Sequence, residues 1–189
     1  MSTEAAARPA ATILLLRDGA EGLEVFMVVR HHAIDFASGA LVFPGGRVDK
    51  GDFTVAADRD LCPGLSDSAH PPGAFLIAAI RETFEECGVL LARPAGAGEL
   101  VSAEVLKAVD DSHRTALAKG EVGFDAVLRA YGLVPATDLL VHYAHWITPV
   151  VQPKRYDTQF FLVEAPAAHL AVHDGSESVD SVWIRPQQA

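Results

Sequence analysis

Three glutamates, Glu82, Glu85 and Glu86, carry the strongest chemical signal in this chain. On a helix of 3.6 residues per turn they stand at i, i+3 and i+4, on one face. No lysine sits among them. Like charges so spaced repel by about 0.2–0.5 kcal/mol per pair in isolated helices. A hard divalent cation would turn that repulsion into ligation, because Mg²⁺ takes carboxylate oxygens and keeps several waters. Taken alone, the same face reads as a solvated acidic surface. Leu76, Ile77, Ile80, Phe84 and Cys87 fall on the opposite side of the same helix, so one face is built for a core. Gly88 marks the expected stop.

A second segment lies upstream. Phe43-Pro44-Gly45-Gly46-Arg47-Val48-Asp49-Lys50-Gly51-Asp52 is a Gly-rich turn ending in an acid. Glycine there permits a close backbone approach to a phosphate or a metal. Together with Arg81-Glu82-Thr83-Phe84-Glu85-Glu86-Cys87-Gly88-Val89, this segment resembles the Nudix box. Gly46, Arg81, Glu82, Glu85, Glu86, Gly88 and Val89 match that family's pattern. The chain departs from it at Asp52, where Glu is usual, and at Thr83, where an apolar residue is usual. It departs again in length, since residues 53–80 stand between the two halves.

The resemblance implies an α/β (α+β) Nudix fold, a mixed β-sheet sandwiched by helices. It implies hydrolysis of a nucleoside diphosphate linked to another group, with Mg²⁺ or Mn²⁺ held by Glu82, Glu85 and Glu86. Arg81 would orient the carboxylates, and Glu82 and Glu86 would act in catalysis. Glu82 is the first candidate for the general base, and Glu177 or Asp180 could supply a carboxylate from the last strand. Phe43 to Gly46, the long insertion, Trp146-Ile147-Thr148-Pro149 and Arg155 to Phe161 are similar to one branch of the family. That branch includes the peroxisomal coenzyme A and acyl-coenzyme A diphosphatases. Arg30, Arg47 and Arg155, with Gly45 and Gly46, are then the candidates for binding the phosphates, since guanidinium forks suit them. The stretch from His31 to Ser38 does not fit the coenzyme A signature, so NADH and nucleotide sugars stay open as substrates. Two other classes stay open as well. One is a Nudix-fold binding or regulatory module without hydrolysis. The other is an isoprenoid diphosphate isomerase, against which the core-side place of Cys87 speaks.

Composition narrows the classes further. The chain has 189 residues, half of them hydrophobic, and a net charge of −10 from 25 acids against 15 Lys plus Arg. That balance excludes a general nucleic-acid or anionic-membrane binder, which needs a basic surface. No apolar run approaches the roughly 18 residues of a membrane span. Cys62 and Cys87 make no disulfide framework and, with His70, no ligand pair at zinc spacing. A cytoplasmic protein with a small-molecule diphosphate substrate is expected.

The elements that must position these groups follow from periodicity. Residues 1–11 read as a loose tail and 12–189 as one domain. Thr12–Leu16 and Leu23–Val29 read as a hairpin, and Leu41–Phe43 as a short strand. Residues 53–73, rich in Pro, Gly, Ser and Asp, read as a loop insertion outside the catalytic core. A helical excursion spans 99–132, capped by Ser102 and broken at Gly120 and Gly132. It could shape a pocket or pack a homodimer. Strands are expected at 139–146, 158–164 and 179–184. His142 and His145 read as packed or hydrogen-bonded rather than catalytic, and His31-His32 as loop residues. Pro186 could open a terminal helix, cut short at Ala189.

Overall fold

The computed structural model describes residues 5–30, 40–66, 70–169 and 178–189. Its frame is a seven-stranded mixed sheet. Strands β1 (Arg8–Gly19), β2 (Gly22–Arg30), β3 (Leu41–Val42) and β4 (Gly45–Arg47) come first in the chain. Helix α1 (Lys50–Ala57) and helix α2 (Gly73–Cys87) follow. Strand β5 (Ala92–Pro94) precedes α3 (Ala103–Val109), a π-helical turn (Asp110–Arg114), α4 (Thr115–Ala118) and α5 (Phe124–Ala130). Strands β6 (Leu133–Pro135), β7 (Val141–Ile147), β8 (Tyr156–Glu164) and β9 (Ser178–Ile184) complete the chain, with a 3₁₀ turn at Pro186–Gln188.

The sheet runs β3-β2-β1-β8-β7, with β4 paired to β1 and β9 to β2. Strands β1 and β8 are parallel, with Leu14 opposite Leu162, and the other pairs in the sheet are antiparallel. Alternation along β1 sends Ala11, Ile13 and Leu15 into the core. There they join Ile77, Ile80, Phe84 and Cys87, the apolar side expected of the central helix. Gly88 ends α2 in the left-handed region at φ 68°, its N–H donating to the Phe84 carbonyl at 2.9 Å. Strands β5 and β6 pair as a separate two-stranded sheet.

Three expectations change. Residues 8–11 are not a loose tail: they begin β1, and pairing with β4 and β8 fixes them. Residues 53–73 are not a mere excursion. Helix α1 runs into them, and Val55, Leu61 and Cys62 are buried in the same core as α2. A Gly- and Pro-rich composition hid three apolar residues that the core uses. Gly45–Arg47, expected as a turn, is a short strand because its register with β1 satisfies its backbone. Among the described residues no helix is long and apolar enough to cross a membrane.

Candidate active site

The acidic face of α2 forms one wall of an open cavity of about 680 Å³. Glu82, Glu85 and Glu86 line it with Arg81, Gly45, Gly46, Arg47 and Asp49. The rest of the lining is largely apolar and aromatic, from Met27, Phe43, Tyr156 and Phe160 among others. The three glutamates are thus brought together as the spacing predicts.

Arg81 is the hub of the acidic wall. Its side chain is nearly buried, and its Nε and Nη2 donate to the two oxygens of Asp52, each at 2.9 Å. Nη2 also donates to the Arg47 carbonyl at 2.9 Å. Nη1 donates to Glu82 Oε1 at 2.9 Å and to Glu85 Oε1 at 3.2 Å. Burial opposes the charge on Arg81, but Asp52, Glu82 and Glu85 outweigh it and push its pKa up. The arginine is therefore fixed as a cation, and it can orient two carboxylates at once.

Asp52 answers the question raised by its type. It is 1 % exposed, sits in the first turn of α1 and accepts the Asp49 N–H at 2.8 Å in a capping box. Although Asp is one methylene shorter than Glu, α1 carries it close enough for a bidentate pair with Arg81. The insertion between the two halves of the motif begins after this contact, so the halves still meet.

The two glycines serve the carboxylates directly. Gly45 N–H donates to Glu86 Oε2 at 3.0 Å. A Cβ at Gly46 would fall 2.4 Å from Glu82 Cδ, so only glycine lets Glu82 pack there. Burial pushes the Glu85 carboxyl up, the Arg81 charge pulls it partly back, and Asp52 and Asp49 push it up again.

Arg47 lines the cavity, but Arg155 does not. Along β8, Tyr156, Thr158 and Phe160 share the cavity face. By the period of two, Arg155 falls with Asp157, Gln159 and Phe161 on the other. Its Nε donates to the Thr148 carbonyl at 3.0 Å and its Nη1 to the Ala5 carbonyl at 2.7 Å, so it ties β8 to its neighbours. The Arg30 side chain, Glu177, the Asp180 side chain and the His31-His32 pair lie outside the described residues. His142 and His145 are bonded to Gln159 and Asp157 at 2.8 and 2.5 Å, away from the cavity. Tyr156, Thr158, Phe160 and Asp49 were not expected as lining residues. The alternation of Tyr156, Thr158 and Phe160 was the available signal.

Among the described residues no three His, Cys, Asp or Glu side chains form a ready-made cation cage. Mg²⁺ does not require one, because it is usually held by one or two carboxylates together with waters and substrate phosphates. The donor set here is all oxygen, and Asp49, Glu82, Glu85 and Glu86 outnumber Arg47 and Arg81 along the walls. These residues fit a hard divalent cation.

The fold is also found in a crystal structure of a NUDIX hydrolase from Alicyclobacillus acidocaldarius. That chain is 31% identical, with a TM-score of 0.74 over 94% of this chain and 78% of its own. A MutT/nudix family protein from Enterococcus faecalis shares the fold at 13% identity and a TM-score of 0.51, covering 97% of this chain and 45% of that one. The fold and the site define a Nudix protein. The family described as the NUDT19 Nudix domain matches residues 65–189, and the chain belongs to it. Acyl-coenzyme A diphosphatase NUDT19 of Gallus gallus is 29% identical, over 88% of this chain and 55% of its own length. Putative nudix hydrolase 7 of Caenorhabditis elegans is 29% identical, over 87% of this chain and 47% of its own length. The chain spans about half the length of the curated relatives it matches.

Proposed function

We propose that this chain is a metal-dependent hydrolase that cleaves the diphosphate of a nucleoside diphosphate linked to another group. Coenzyme A or an acyl-coenzyme A is the first substrate to test. The observation that carries the reading is the surplus of carboxylates on the cavity walls. A field of that sign repels a diphosphate unless cations intervene. Glu82, Glu85 and Glu86 would hold Mg²⁺ or Mn²⁺. Once bound, such a cation neutralises phosphate oxygens and acidifies a water.

The chain's own groups do the positioning. Arg81 keeps Glu82 and Glu85 on the wall, and the Gly45 amide keeps Glu86 there. Arg47 offers a guanidinium to a phosphate at the rim. Glu82 is the first candidate for the base. The apolar wall of Met27, Phe43, Tyr156 and Phe160 suits a nucleobase ring or a flexible apolar arm. The name of the chicken relative supports the acyl-coenzyme A choice. Two buried thiols outside any disulfide, Cys62 and Cys87, suit the reducing cytoplasm.

The test is a parallel assay of coenzyme A, an acyl-coenzyme A, NADH and ADP-ribose, with Mg²⁺ and with Mn²⁺. Coenzyme A or its acyl form should give the highest kcat/KM. A kcat/KM no higher than that for ADP-ribose would sink the coenzyme A choice and leave the hydrolase standing. No turnover of any diphosphate would sink the hydrolase.

A further inference from the structure

The carbonyls of the last helical turn have no partner within their own helix. At the end of α2 these belong to the residues that carry the acidic wall. The Phe84 carbonyl is taken by Gly88. The Glu85 and Glu86 carbonyls are taken by one side chain from far along the sequence, Arg114. Its Nε donates to the Glu85 carbonyl at 2.9 Å and its Nη2 to the Glu86 carbonyl at 3.0 Å. Its Nη1 donates to Asp110 Oδ1 at 3.3 Å, one turn back on its own segment.

Three features show that this contact is built rather than incidental. The Arg114 side chain is 11% exposed, so its position is enclosed. It ends the π-helical turn, the wide type of turn that recurs at functional sites. Gly88 makes room for it, because a Cβ there would lie 3.0 Å from Nη1. The guanidinium also places a positive charge at the negative end of α2, where cations are favoured.

We propose that Arg114 is a positioning residue for the acidic wall. It fixes the main chain of Glu85 and Glu86, and through it the direction in which both carboxylates enter the cavity. The segment holding Arg114 thereby becomes part of the active-site support, and Ala118 of the adjoining α4 reaches the cavity lining itself. The proposal rests on the metal-binding reading of that wall. Lysine could replace the charge but not the fork that spans two carbonyls.

Mn²⁺ binding, read by the loss of the free-ion paramagnetic resonance signal on titration, tests this apart from turnover. The variants are Arg114→Ala, Arg114→Lys, Glu86→Gln and, as a control, Lys107→Ala. Lys107 lies on α3 in an exposed pair with Asp111 and should change nothing. Arg114→Ala should weaken Mn²⁺ binding and lower kcat by about 10–100-fold, the usual range for groups that support metal ligands. KM should stay within about twofold, since the substrate's own contacts are kept. Arg114→Lys should recover part of both losses. A folded Arg114→Ala protein with a lower Tm but full Mn²⁺ affinity and kcat would overturn the proposal, because Arg114 would then only stabilise the helix end. If Arg114→Ala does not fold, Arg114→Lys decides: undiminished affinity and kcat in that variant would overturn it. Loss of Mn²⁺ binding in Glu86→Gln alone would sink the Arg114 proposal and keep the metal site. Failure of the unaltered protein to bind Mn²⁺ would sink both.

Discussion

The two walls of the cavity are built by opposite means. On the α2 wall each carboxylate has a fixed donor: Arg81 for Glu82 and Glu85, the Gly45 amide for Glu86. Arg81 is in turn gripped by Asp52 and the Arg47 carbonyl. On the β8 wall, Tyr156 and Phe160 are partly exposed, and Phe160 leans on Trp146, which is itself 71% exposed at the sheet edge. The difference follows from the forces used. Charge chemistry in a partly buried site depends steeply on distance and direction, so its groups are tied. Apolar contact is non-directional, so a looser wall can hold a range of groups. On the proposed reading the chemistry belongs to the tied side and the selectivity to the looser one.

The largest test breaks the rigid side at its root. Asp52→Ala leaves the Arg81 guanidinium buried without its main partner. Breaking one half of such a pair costs about 3–5 kcal/mol. Urea unfolding should show that loss of stability, together with a loss of activity as Glu82 and Glu85 lose their alignment. An unchanged midpoint would mean that the pair is not what holds α1 to α2. The next test leaves the frame intact and changes only the working surface. Glu86→Gln keeps its volume and an acceptor for the Gly45 amide, so Tm should stay close to that of the parent protein. Metal-dependent turnover should fall about 10²–10³-fold, the scale seen when one fixed electrostatic group is removed from a site. Near-normal kcat at low Mg²⁺ would take Glu86 off the ligand list.

The adaptable side should answer differently. Tyr156→Ala or Phe160→Ala should raise KM by about tenfold, roughly 1.4 kcal/mol of lost binding, with kcat little changed. If the wall takes the arm rather than the adenine that all three share, the increase should differ among coenzyme A, an acyl-coenzyme A and NADH. Equal effects on kcat and KM in both variants would show that this wall positions the reacting phosphate, and the contrast between the walls would fail.

The same contrast decides how much could be seen before the structure. The rigid wall is written locally: Glu82, Glu85 and Glu86 share a helix face, and Gly45 and Gly46 form one short run. Those residues and the core phase of Ile80, Phe84 and Cys87 were legible, as were the caps at Ser102, Gly88 and Gly132. The partnership of Asp52 with Arg81 was not, because it crosses a long insertion whose composition suggests only loop. The same composition concealed Val55, Leu61 and Cys62, whose burial depends on α2 and α5 arriving from elsewhere. The adaptable wall is assembled from β2, β8 and the segment around Phe43, so no local spacing announces it. Arg155 misled for the converse reason: its charge was right for a phosphate, but its parity along β8 put it on the wrong face.

The smallest effect expected is also the one that separates function from stability on the rigid wall. Burial raises the Glu85 pKa, so the folded state holds its proton more tightly than the unfolded state does. The sign follows from that. The protonated form favours the fold below the unfolded pKa, and the advantage is lost as pH rises through the higher folded value. Near neutral pH without metal, ionised Glu85 therefore works against folding. Glutamine copies the protonated form and can still accept the Arg81 hydrogen bond through its carbonyl oxygen. Metal-free Glu85→Gln should consequently melt above the parent protein near pH 7, and the gap should close as pH falls toward the ordinary carboxylate range. Added Mg²⁺ should raise the Tm of the parent protein more than that of the variant, because the cation relieves a repulsion that the variant has already lost. A variant that melts lower at neutral pH would show that the Arg81–Glu85 ion pair outweighs the burial of the charge, and that this corner of the wall is held by attraction.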